Sequence, residues 1–427
     1  MSELYKYSQF NIVAREDKDK VLLYNTRSLN YVYLDKCDFD DINGKSSIDL
    51  GDVPVWMADK GFIVPVSTDE IQKIKDEVQE HLEEADFMFV SIFLTLACNY
   101  SCVYCFEKEQ LCQTDYMTEE TAEALVDFIR MRCEEQKFTK KVKLKLFGGE
   151  PLLNMPIIRF ISNRLRSNNI DFSAKLYTNG RLLDRETALT LRELGVTDEV
   201  VIPLDGLSKV YSKLKNCREE DFYATVQNIK DVEEILKLEL HINVSEASKE
   251  DVEPLINLLR DKYKIKSSIK TVNVAPQNTD TVTDYNSISF DEFQKASDIL
   301  MTKVRLTSIR RTYGCEARHP EYYVVGTKGE LYVCEHLIGQ EKYIVGNIRN
   351  QSGRINRTGT IWDNNRVIDE CEDCPLIPIC LGQCSSQRYI DNIDCERDKR
   401  IESTKKRLIR LIENRARVEE DADRGIC

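Results

Sequence analysis

Three cysteines lie on one short run, Cys98-Asn99-Tyr100-Ser101-Cys102-Val103-Tyr104-Cys105. The C-x3-C-x2-C spacing sets three thiolates on a single loop. A cubane iron–sulfur cluster takes four protein ligands, so three leave one iron open to a small molecule. That opening separates a reactive cluster from a sealed electron carrier. Two other readings stay open: a zinc loop that borrows a distant fourth ligand, and three reduced cysteines packed in a core. A second group lies far along the chain. Cys315 precedes Gly329 and Cys334, then come Cys371-x2-Cys374-x5-Cys380-x3-Cys384 and finally Cys395. A zinc ribbon would account for Cys371 and Cys374 and leave five cysteines over.

The elements that must position these residues follow from periodicity. Residues 89–96 read as a buried strand ending at the first cysteine run. Strands at 142–147, 174–178, 200–204 and 238–244 follow, each separated by a helical stretch. The first helix, 118–136, carries Leu125, Phe128, Ile129 and Arg132 at helical spacing. Such a βα repeat predicts a parallel sheet or partial barrel. Ligands of these folds sit at the carboxyl ends of the strands. The cysteine run, Gly148-Gly149-Glu150, Asn179-Gly180 and Asp205-Gly206 all fall at strand ends, hence on one face.

Four regions are expected. Residues 1–88 hold short strands at 10–15, 21–25, 31–34 and 61–65. A helix there starts near Ser67, with Glu70 completing a capping box, and runs on as an exposed linker. Residues 89–300 hold the βα repeat, and residues 301–400 the second cysteine group. Residues 401–427 read as a basic, solvated helix with a frayed tail.

A chain of 427 residues has room for two or three domains. Its 42% hydrophobic and 31% charged content is that of a globular protein. The net charge of −13 argues against a nucleic-acid surface. No apolar run approaches about 18 residues, so no membrane span is expected. Met1-Ser2-Glu3-Leu4-Tyr5-Lys6 lacks an apolar signal segment. The expected place is therefore a reducing cytoplasm, where the 15 cysteines serve as metal ligands rather than disulfides.

With Tyr104 as the aromatic of C-x3-C-x-aromatic-C, the first run resembles the signature of the radical S-adenosylmethionine (radical SAM) superfamily. The resemblance implies an α/β fold, a partial (βα)6 radical SAM barrel. It implies a [4Fe-4S] cluster on Cys98, Cys102 and Cys105 whose open iron chelates S-adenosylmethionine. Reductive cleavage of the cofactor then gives a 5′-deoxyadenosyl radical. Gly148-Gly149-Glu150 resembles the superfamily's GGE motif, which implies that Glu150 and nearby backbone hold the cofactor's ammonium group. Tyr104, Asn179, Asp205 and Asn243 are expected to line the cofactor site. Pro203 stands where related enzymes often have serine.

The second cysteine group resembles the SPASM extension of radical SAM enzymes, which implies two auxiliary [4Fe-4S] clusters, three in all. By that family's interleaved pattern Cys371, Cys374, Cys380 and Cys395 hold the distal cluster, and Cys315, Cys334 and Cys384 the proximal one. Members with two fully ligated auxiliary clusters have another cysteine shortly before Cys315. Here Leu306 to Gly314 contains none. The proximal cluster then keeps an open iron, unless Cys217, His319 or His336 closes it. An open iron can bind a substrate thiolate, as proposed for maturases that join a cysteine sulfur to carbon. Glu335, directly after Cys334, stands where sulfatase-maturing relatives place a catalytic aspartate; a hydrated residue on a hairpin is the plainer reading.

The first region loosely resembles the winged-helix-like modules by which peptide maturases hold a leader peptide on a strand edge; a structural cap is the other reading. The implied activity is thioether formation on a ribosomally made precursor with a leader and a cysteine-containing core. Formylglycine formation and carbon–carbon crosslinking are the alternatives. The implied electron donor is a flavodoxin or ferredoxin-type protein.

Overall fold

The computed structural model describes residues 4–84, 87–105, 107, 110–111, 113–136, 142–273, 292–293, 296, 315–350 and 354–423. Phe106, Cys112, the stretch before Cys315 and Cys427 lie outside these residues. The described residues fall into two compact units. One draws on 1–85, 301–319 and 357–427, the other on 86–300 and 320–356.

The second unit is built on a nine-stranded sheet. Its first six strands are β7 (Met88–Phe93), β8 (Val142–Phe147), β9 (Phe172–Tyr177), β10 (Val200–Pro203), β11 (Leu238–Val244) and β12 (Ser268–Asn273). They pair in parallel in chain order, as helical crossovers dictate. Every residue of β7 is buried, because it has neighbours on both edges: β8 on one side and β13 (Tyr322–Val325), parallel to it, on the other. β14 (Glu330–Tyr332) and β15 (Gly346–Asn347) extend the sheet antiparallel. The helix Glu119–Gln136 carries the fully buried Arg132. Its Nη2 donates to both carboxylate oxygens of Glu321, at 2.9 and 3.1 Å, and its Nε to the Tyr323 hydroxyl at 3.1 Å. This pair ties the helix to β13.

The first unit holds two small sheets. In one, β1 (Leu4–Tyr7) lies between β5 (Ile48–Asp49) and β6 (Ile63–Pro65); the other is the meander β2 (Asn11–Glu16), β3 (Lys20–Asn25), β4 (Tyr31–Asp35). Side chains of β3 alternate between two buried faces. Val21 and Leu23 pack with Phe39, Met57 and Phe62, while Leu22 and Tyr24 pack with Leu408 and Leu411 of the helix Arg397–Asp423. That helix is therefore packed along one face rather than solvated all round.

The expected linker helix also differs. Glu70–Glu84 buries Ile74 and Val78 against Phe10, Ile368 and Ile377, a stripe at i, i+4 spacing. Its cap is Asp69, whose carboxylate accepts from the Gln72 amide at 2.9 Å. Glu70 instead turns inward and accepts from Ser8 Oγ at 2.6 Å and the Gln9 amide at 3.0 Å. Among the described residues no helix is long and apolar enough to cross a membrane.

Candidate functional site

The cysteine loop begins one turn past β7 and is zipped to the end of β8. The Gly149 amide donates to the Thr95 carbonyl at 3.0 Å and the Glu150 amide to the Ala97 carbonyl at 2.8 Å. This approach needs glycine. A Cβ on Gly148, whose φ is +131°, would overlap the Thr95 carbonyl oxygen, and one on Gly149 the Ala97 carbonyl oxygen. The far side of the loop is held by the Val103 amide on the Leu214 carbonyl, 2.9 Å, and by Asn216 on Ser101, 2.8 Å.

Cys98, Cys102 and Cys105 lie within electrostatic reach of one another. Burial pushes the Cys98 and Cys105 thiols up to about 12 and raises Cys102 as well. Such thiols stay protonated at neutral pH until a metal displaces the proton. One donor already faces the set: the Tyr100 amide points at Cys98 Sγ, 3.4 Å away.

Glu150 is fully buried, and burial raises its pKa. Its carboxylate accepts from Thr178 Oγ1 at 2.8 Å, the Leu152 amide at 3.1 Å and the Asn179 amide at 2.9 Å. Three donors leave room for about one more on a carboxylate with four lone-pair sites. Asn179 reaches across to Asn99 in the cysteine loop, 2.7 Å. Asp205 is also fully buried. It accepts from Tyr104, from Lys215 at 2.9 Å and from Asn243 at 2.7 Å. Tyr104, Asn179, Asp205 and Asn243 are thus joined to the cysteine loop through two side-chain networks.

Lys215 was invisible in the sequence, being one lysine among several on a short helix. It is 1% exposed. Burial pulls its pKa down, but Asp205 and Cys102 outweigh that and leave it above the usual lysine range. Glu107, two residues past Cys105, was also missed. It is buried, its Oε2 has no hydrogen-bond partner, and burial, with the charge of Glu335, pushes its pKa up to about 8.

Glu335 is not a hydrated hairpin residue. Its side chain is 21% exposed, and Oε1 accepts from Ser91 at 2.5 Å and Tyr322 at 2.6 Å. Lys145 on β8 lies 3.4 Å away. A carboxylate held by three donors is a positioned hydrogen-bond acceptor.

In the first unit Cys371, Cys374, Cys380 and Cys395 line one cavity, together with Gln383 and Arg388. Gln383 Nε2 donates to Cys395 Sγ at 2.7 Å and Arg388 Nη1 to Cys371 Sγ at 3.3 Å. Among the described residues no three Cys, His, Asp or Glu side chains converge as one metal ion requires. The four thiols share the lining of that cavity. Cys315 and Cys384 lie close to each other in the same unit, and Cys334 belongs to the other. Of the spare ligands, Cys217 lies beside Cys102, His319 is buried and His336 exposed.

A cysteine loop after the first strand of a parallel βα sheet, braced by a Gly-Gly turn, defines a class that comparison makes specific. Residues 92–259 match the radical SAM superfamily. The chain is 22% identical over 407 residues to the radical SAM cyclopropyl synthase TigE of Paramaledivibacter caminithermalis, covering 83% of this chain and 81% of that one. It is 26% identical over 228 residues to the GTP 3′,8-cyclase of Campylobacter jejuni, covering 52% and 66%. The fold of native anSMEcpe with bound AdoMet superposes with a TM-score of 0.60 at 16% identity, over 77% of this chain and 99% of that one. The same protein with bound AdoMet and Cp18Cys peptide gives 0.57 at 17% identity, over 77% and 98%. Residues 92–259 carry a radical SAM domain, and the fold is shared with anSMEcpe. The superfamily binds S-adenosylmethionine and a [4Fe-4S] cluster.

Proposed function

We propose that this enzyme matures a ribosomally made, cysteine-containing peptide by joining a cysteine sulfur to a carbon of another residue. The observation that carries the reading is the ring of Cys371, Cys374, Cys380 and Cys395 around one cavity, beside a sequence that has no cysteine from Leu306 to Gly314. The first supports a sealed distal cluster and the second an open proximal one on Cys315, Cys334 and Cys384. A peptide-bound structure of the same fold supports a peptide substrate.

When bound, S-adenosylmethionine and the clusters supply a hydrogen-abstracting radical, a thiolate site and an electron acceptor. The chain's own residues do the rest. Cys98, Cys102 and Cys105 hold the first cluster. Glu150 offers its remaining acceptor position to the cofactor's ammonium, and Tyr104, Asn179, Asp205 and Asn243 shape its surroundings. Glu335 takes the proton of the substrate thiol, with Ser91, Tyr322 and Lys145 keeping it aimed. The balance is one hydrogen atom from carbon, one proton from sulfur and one electron removed per new C–S bond. A flavodoxin or ferredoxin-type donor supplies the priming electron.

A carbon–carbon crosslink is the second reading, favoured by the similarity to a cyclopropyl synthase across most of both chains. The test uses the reconstituted enzyme, dithionite, S-adenosylmethionine and synthetic cysteine-containing precursor peptides. The thioether reading expects a product two hydrogens lighter that has lost one alkylatable thiol. The same mass loss with every thiol still alkylatable would establish the carbon–carbon reading. An aldehyde in place of a thiol would establish formylglycine formation.

A further inference from the structure

The spacer between Cys380 and Cys384 is Leu381-Gly382-Gln383, and all three have positive φ: 48°, 75° and 65°. Left-handed backbone is unfavourable for a non-glycine residue, whose Cβ crowds the following carbonyl oxygen, so contacts must hold it. Arg318 supplies them. It ends the short helix Glu316–Arg318 that follows Cys315, and it is 2% exposed. Its guanidinium donates to the Leu381 carbonyl, to the Gln383 carbonyl at 2.7 Å, and to Ser385 Oγ at 3.0 and 3.2 Å. A rigid planar fork can take two carbonyls and a hydroxyl together; an ammonium cannot match that geometry. From the opposite side Val367 presses on Gly382, where any Cβ would overlap it.

The consequence is a division of the thiols. Cys380 lines the cavity with Cys371, Cys374 and Cys395, whereas Cys384 does not and is coupled to Cys315. Arg318 has Cys315, Cys380 and Cys384 all within electrostatic reach. We propose that Arg318 is a positioning residue that clamps the spacer so that Cys380 and Cys384 serve different clusters, and that its buried charge sets the potential of both. This rests on the reading of these cysteines as auxiliary-cluster ligands. A buried cation beside a cluster favours the reduced, more negative state, one of the levers on iron–sulfur potentials.

The test uses the full chain with Cys98, Cys102 and Cys105 replaced by alanine, so that only auxiliary clusters are read. Iron content, circular dichroism and midpoint potentials by electron paramagnetic resonance are measured for Arg318→Met, Arg318→Lys and Arg388→Met. Arg318→Met is expected to lose about four of roughly eight irons and to shift the remaining signal to a more negative potential. Arg318→Lys, which keeps the charge but not the fork, is expected to lose iron while its remaining signal stays near the parent potential. Arg388→Met, whose guanidinium faces Cys371 and Cys395 of the one ring, is expected to move one signal and leave the other. Full iron and unmoved potentials in Arg318→Met would overturn the proposal. Should that variant fail to fold, a folded Arg318→Lys with full iron overturns the clamp by itself. A parent protein that binds no iron overturns instead the reading of the cysteines beneath it.

Discussion

At Glu107 burial and the charge of Glu335 act in the same direction. The folded pKa of about 8 stands above the ordinary 4.5. A raised acid contributes stability that is whole below the unfolded pKa and is lost as pH rises through the folded one. Metal-free protein should therefore weaken between about pH 5 and pH 9, and Glu107→Gln should remove that part of the decline. By urea unfolding, the variant is expected to gain about 2–4 kcal/mol on the wild type across this span. An offset that is the same at both pH values would mean that Glu107 is not a buried acid. Glu335→Gln should lower crosslinked product about 10²- to 10⁴-fold while uncoupled 5′-deoxyadenosine formation persists. Equal loss of both products by chromatography would reduce Glu335 to a structural role. The site's thiols and its Gly-Gly turn were legible because spacing alone identifies them. Lys215, Glu107 and Arg318 were not, since a single charged residue carries no pattern and their burial depends on partners far along the chain.

Among the elements, Arg132 shows how far periodicity reaches. Helical spacing placed it on the apolar face of its helix, but its partner Glu321 lies 189 positions away. No local pattern joins the two. Removing Arg132 strips the buried Glu321 of one cation and leaves Arg354, half-exposed, to pair with it. Arg132→Ala should cost about 3–5 kcal/mol, and Arg132→Met with Glu321→Leu should recover most of it. Denaturant titration of the three proteins checks this, and a single variant as mild as a surface substitution would show that β13 is held otherwise. The same limit explains the strands. Those from 89 to 244 stand out as apolar runs, whereas β12, Ser-Ile-Lys-Thr-Val-Asn, is two-thirds polar. β13 lies in the cysteine-rich stretch, where its parallel neighbour β7 is more than 200 residues earlier.

For the whole molecule, composition suggested successive regions, yet the N-terminal strands form one compact unit with residues 357–427, while residues 320–356, Cys334 among them, belong to the other unit. Ile12 packs with Leu376 and Ile379, beside Cys374 and Cys380, and Phe10 with Ile368 and Ile377. The N-terminal region thus shares a core with the stretch that carries Cys371, Cys374 and Cys380. Deleting residues 1–66 should strip the apolar backing from the distal cysteine ring and cost about four irons, measured after anaerobic reconstitution. A truncated protein with undiminished iron would mean that the cysteine ring stands alone. Leader binding is better tested by substituting exposed residues of this region, such as Tyr33 on β4 and Trp56.

The central claim, one radical-forming cluster beside two auxiliary ones, is tested most directly by one paired measurement. Iron and 5′-deoxyadenosine are quantified in the reconstituted wild type and in the Cys98/Cys102/Cys105 triple-alanine variant. Three cubanes give about 12 irons per chain in the wild type and about 8 in the variant, with cofactor cleavage abolished only in the variant. A variant that still makes 5′-deoxyadenosine, or a wild type that holds only about four irons, would contradict it.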